Sequence, residues 1–118
     1  MAKSRINALT TEGETYIPAG LIWGWRALST QAPIAARDSQ AGAQVSRYMV
    51  LVTDGQNTRS VNTSNSSLHD GSNPTEANTV MRTTCQNMAA DKVSGIKLYT
   101  IAFEVTDPTV KQLLEECS

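Results

Sequence analysis

The stretch Tyr48 to Gly55, Tyr-Met-Val-Leu-Val-Thr-Asp-Gly, constrains this chain more than any other. Tyr48 to Val52 are all apolar or aromatic, several with strong strand preference, and the run stops at a carboxylate followed by glycine. A run apolar on both faces predicts the buried strand of a parallel sheet, with helices above and below it. In open α/β sheets ligands sit in the crevice at the carboxyl ends of the strands, which makes Asp54 a candidate site residue. The same Asp-Gly pair is also an ordinary way to turn after a strand.

The flanking segments read as alternating helices and strands. Ala2 to Leu9 predicts the last turns of a helix, with Ile6 and Leu9 on one face, and Thr10 to Tyr16 is a polar loop. Pro18 suits the first turn of a helix over 17–28, whose apolar face is Leu21, Ile22, Trp25 and Leu28. Gly20 and Gly24 lie one turn apart on a neighbouring face, where another backbone can approach closely. Ser29 to Ser46 has no clear period and reads as a surface connection. A strand over 46–53 follows, then a polar segment, Gln56 to Ser72, too polar to be buried. It carries His69 and Asp70, and a lone histidine in such a loop is most often solvated.

Asn73, Pro74 and Glu76 signal a helix over 74–92, with Ala77, Val80, Met81, Cys85, Met88 and Ala89 as its buried stripe. After Gly95, residues 96–105 predict a second strand. Asp107 and Pro108 open a helix over 108–117 with Val110, Leu113, Leu114 and Cys117 on one face. Five of the six aromatics, Trp23, Trp25, Tyr48, Tyr99 and Phe103, are expected in one core. The pattern predicts an α/β fold with parallel strands and right-handed crossovers.

With 118 residues the chain makes one domain at most, and two strands leave sheet edges open. A fragment of a larger domain, or a protomer that completes its sheet by pairing with a second copy along the free edge of the Tyr48 to Val52 strand, is therefore expected. The formal net charge of -1, with both signs interspersed, argues against nucleic acid or an anionic membrane as partner. No run is apolar enough to span a bilayer, and export would require a signal outside these residues. Cys85 and Cys117 both fall on apolar helix stripes, as two buried thiols or as a disulfide closing a loop of 32 residues.

Enzymatic readings find little support. Asp54 at a strand end could act as a phosphoryl-accepting nucleophile, but the second acidic residue that such sites use for magnesium is not beside it. The only histidine is His69 and no Gly-x-Ser-x-Gly elbow is present, nor a glycine-rich turn between a strand and a helix. A non-enzymatic module, or a structural domain with a vestigial site, is the stronger expectation.

Gly13 to Leu21, Trp23-Gly24-Trp25-Arg26, Val50 to Gly55 and Gly95 to Phe103 together resemble the von Willebrand factor A domain of TadG-type proteins, of the bacterial tight-adherence or Flp pilus assembly group. The resemblance implies a partial Rossmann-like A domain over 1–118, without the family's first three strands and its last strand and helix. It also implies an extracytoplasmic adhesion or assembly module that binds a protein ligand or pilus component, with membrane attachment only through segments outside this chain. A domains hold a divalent cation, usually magnesium, at a metal-ion-dependent adhesion site. Thr15 matches its threonine and Asp54 its aspartate, whereas the Asp-x-Ser-x-Ser loop is absent from this chain. One hydroxyl and one carboxylate imply a weak, incomplete site, in the millimolar range by order of magnitude. The cysteines resemble a pair in the TadG group, which favours the bridge Cys85–Cys117 and an oxidising compartment.

Overall fold

The computed structural model describes residues 13–30 and 45–118, together with Lys3, Ser4, Ala8 and Ile34. Most of the expected helix Ala2 to Leu9 and most of the connection Ser29 to Ser46 lie outside the described residues. Among the described residues three helices and two strands alternate: α1 (Ile17–Leu28), β1 (Arg47–Thr53), α2 (Pro74–Ala90), β2 (Ile96–Ala102) and α3 (Pro108–Cys117). The strands are parallel, in register from Arg47 opposite Ile96 to Thr53 opposite Ala102. An α/β chain with a two-stranded parallel sheet is what the alternation implies.

The helix starts follow from local chemistry. Asn73 accepts a hydrogen bond from the Glu76 backbone N–H at 3.2 Å, and Asp107 accepts one from that of Thr109 at 2.8 Å, each ahead of a proline at the first helical position. Glu76 stands where a carboxylate could reach back to the Asn73 N–H, but it makes no such bond. Instead of the Glu76 carboxylate, the Ser60 hydroxyl accepts from the Asn73 N–H at 3.2 Å. α2 stops at Ala90 rather than 92, because the Asp91 carboxylate accepts from the backbone N–H groups of Val93 and Ser94 and turns the chain.

β2 ends at Ala102, three residues short of the expected Val105. One more rung is made, from the Phe103 N–H to the Thr53 carbonyl at 2.9 Å, and then Glu104 takes a left-handed backbone with φ of 54°. That turn directs Val105 into the core.

The sheet is covered on one face only among the described residues, which corrects the expectation of helices above and below. Met49, Leu51, Ile96 and Leu98 face the three helices, while Tyr48, Val50, Val52, Tyr99 and Ile101 on the other face are about half exposed or more. Tyr48 and Tyr99 stack on each other at 6.2 Å between ring centroids, with the Lys97 ammonium over Tyr48. The single aromatic core is therefore not formed: Trp23 and Phe103 are also exposed, and only Trp25 packs against the core. The core is aliphatic and sulfur-rich, built from Leu21, Met81, Met88, Val110, Leu113 and Leu114.

Cys85 and Cys117 form a disulfide, Cα atoms 5.1 Å apart, that ties the middle of α2 to the end of α3. Closing 32 residues of chain stabilises the fold by about 3 to 4 kcal/mol in the loop-entropy account. Arg82 and Glu116 form an ion pair across the same two helices, and the Arg82 guanidinium holds the Glu116 carboxyl below its ordinary range. No helix among the described residues is long and apolar enough to cross a membrane.

Candidate functional site

The carboxyl end of the sheet meets the start of α1. β1 delivers Thr53, Asp54 and Gly55 there, and the Thr53 hydroxyl, paired with the Gly55 backbone, fixes the turn. On the facing side, residues 57–59 grip the approach to α1. The Thr15 N–H donates to the Thr58 hydroxyl at 2.7 Å, and the Thr15 carbonyl accepts from the N–H groups of Thr58 at 2.9 Å and Arg59 at 3.0 Å. Arg59 forms an ion pair with Glu14.

Asn57 completes the grip. Its side-chain oxygen accepts from the Ile17 N–H at 2.8 Å, capping α1 from outside, because Tyr16 at the cap position makes no side-chain bond there. Its amide donates to the Asn78 side chain at 2.9 Å. Asn57 and Ser60 are each 1 % exposed, so the Gln56 to Ser72 segment, expected to be too polar for burial, is anchored at its start. Every buried polar atom there finds a partner, which removes the penalty that made burial unfavourable. Farther along, Ser60 and Gly71 pair as an antiparallel bridge. His69 stacks on Tyr16 with ring centroids 4.7 Å apart, and Asp70 accepts from the Asn62 amide at 2.7 Å. Burial, with Glu76 nearby, pushes the Tyr16 hydroxyl above its ordinary pKa.

This scaffold brings Thr15 and Asp54 to one open cleft of about 460 Å³. Its remaining walls are Ile17, Gly20, Leu51, Val52, Thr53 and Phe103. No hydrogen bond or ion pair engages the Thr15 hydroxyl or the Asp54 carboxylate among the described residues, and both residues are exposed. The sequence places Phe103 in the core; it instead lines the cleft, one rung beyond β2 and 59 % exposed, in step with the exposed Tyr99 and Ile101. Gly20 has open space where a Cβ would stand, so no backbone approaches it. At Gly24 a Cβ would collide with the Met49 sulfur, so the close approach there is by a side chain.

The donor set does not complete a magnesium site. Magnesium takes six oxygens in near-octahedral geometry and gives up its waters reluctantly, while the cleft's side chains offer one carboxylate and threonine hydroxyls. No group of three His, Cys, Asp or Glu side chains among the described residues could hold a metal ion. Comparison with protein-family models, with curated proteins and with solved structures finds no match for this chain.

Proposed function

We propose that this chain is a non-enzymatic adhesion or assembly module of the TadG-like A-domain kind, a partial Rossmann-like fold that engages a protein partner through the cleft at the strand ends. The observation that carries the reading is the convergence of Thr15 and Asp54, from distant parts of the chain, on one cleft at the carboxyl end of a parallel sheet. That is where α/β sheets bind their ligands. The disulfide supports placing the parent protein outside the cytoplasm, in the periplasm or cell envelope. Magnesium at this cleft is a weak accessory, held mostly by its own water.

The test is a thermal melt with and without several millimolar magnesium or manganese, run beside Asp54→Ala. Millimolar binding to the folded state raises the melting temperature by about a few degrees through mass action, and the variant loses that rise. Indifference of both proteins to metal would overturn the metal-dependent form of this reading, in which the cleft captures a carboxylate through the cation.

A further inference from the structure

The geometry points to direct recognition of an arginine side chain of a protein partner in the Asp54–Phe103 cleft, with no metal between them. This rests on the reading of the cleft as the partner-binding surface and goes beyond it by reversing the expected charge of the ligand. A complete metal-dependent site presents a cation and captures a carboxylate. With the donor set short of that, what the cleft presents is a bare carboxylate.

Three features select the ligand. Asp54 is not neutralised from within: no side-chain or backbone donor reaches its carboxylate among the described residues, a lack it shares with Glu76, Glu104 and Glu115, and of these four only Asp54 lines the strand-end cleft. No lysine or arginine lines the cleft among the described residues. Apart from Thr15 and Thr53 the walls are apolar, with Ile17, Leu51, Val52 and the 59 % exposed Phe103 lining the same cleft as the carboxylate. A carboxylate that shares one cleft with an aromatic ring and aliphatic side chains matches a group with an apolar stem, a planar cationic head and paired N–H donors. Guanidinium has that form, since it binds a carboxylate with two parallel N–H groups and stacks on aromatic rings. The stem lies along the aliphatic wall, and the Thr15 hydroxyl is free to accept a further N–H. An ammonium supplies the charge but not the stacking plane.

The experiment is a titration of the whole isotope-labelled chain, followed through its backbone amide resonances, with n-butylguanidinium and separately with n-butyrate plus magnesium. Saturable shifts confined to Thr15, Thr53 to Gly55 and Phe103 are expected with butylguanidinium at millimolar concentration, weakened by added salt. Asp54→Asn and Phe103→Leu should each raise its dissociation constant about fivefold or more, and both sites are exposed, so unchanged amide dispersion verifies the fold. Shifts at these amides with butyrate and magnesium but none with butylguanidinium overturn the inference and leave the adhesion-site reading standing. If neither probe moves these amides, both fall. Butylguanidinium shifts that persist unchanged in Asp54→Asn also overturn it.

Discussion

The side-chain oxygen of Asn57 accepts the Ile17 backbone N–H at 2.8 Å, across a sequence separation of 40 residues, and this bond sets the wall of the cleft opposite Asp54. It replaces the cap that the helix's own flanking residue does not supply, and its amide is tied to Asn78 on α2. Asn57→Ala removes the cap and leaves the Ile17 donor unpaired at a buried position. The expected loss is about 2 to 3 kcal/mol in a urea titration, from capping and desolvation together. Asn57→Asp, which keeps the acceptor, should lose less against Ile17. Equal losses in the two variants would mean that the bond to Asn78, not the cap, is what matters.

The two glycines of α1 should respond in opposite ways. Gly20→Ala places its methyl in open space and gains helix propensity, about 1 kcal/mol. Gly24→Ala gains the same propensity but drives the new Cβ into the Met49 sulfur, so Met49 must leave its packed position. Chemical denaturation should find Gly20→Ala more stable than the unaltered chain and Gly24→Ala no better than it. A similar gain in both would show that Met49 relocates without cost.

Asp91 predicts the pH dependence. Its carboxyl is lowered from 3.8 to about 2, chiefly by hydrogen bonds from Ser94, and also by the Trp25 indole N–H at 2.9 Å and the Val93 backbone. Because the folded pKa lies below the unfolded one, its contribution is fully present above about pH 4 and is lost as pH falls through about 2. Glu116, also lowered, adds to the same trend, so the comparison must be with Asp91→Asn. The variant should melt below the unaltered chain at pH 6, with the gap closing between pH 4 and pH 2. A gap independent of pH would contradict the assignment to the charged form.

What could be read from the sequence was local. Asn73-Pro74 and Asp107-Pro108 start their helices because a short polar side chain reaches only its own first turn, and that signal survives without tertiary context. Burial of the sheet was not legible in this way. Val50 and Val52 are as apolar as Met49 and Leu51, so composition alone made both faces of β1 interior, and only the placement of all three helices on one side separates them. Asn57 was missed because its partners lie far along the chain at Ile17 and Asn78, and nothing near it distinguishes it from the other polar residues of its loop. For the cleft, strand-end chemistry picked out Asp54 and the family resemblance picked out Thr15. Phe103 was hidden by the expectation that both sheet faces are buried, which put it in the core with the other aromatics.

The uncovered sheet face leads to the last prediction, self-association along β1. Tyr48, Val50, Val52, Tyr99 and Ile101 are between 49 % and 61 % exposed on one face, and the outer edge of β1 has no strand partner among the described residues. At roughly 100 Å² for each half-exposed side chain, the patch approaches 500 Å² per copy, and two copies bury about 1,000 Å², near the lower limit for a specific interface. Such a dimer is weak, populated at tens of micromolar and above. Light scattering behind size-exclusion chromatography should therefore show an average mass that rises with loading. Val50→Lys puts a charge in the middle of the patch and on the edge strand, and should return the protein to a monomer at every concentration while leaving the melting temperature of the dilute chain nearly unchanged. A constant monomer mass up to high concentration in the unaltered chain would instead mean that the outer face tolerates water, and that the stacked Tyr48–Tyr99 pair with Lys97 above it is cover enough.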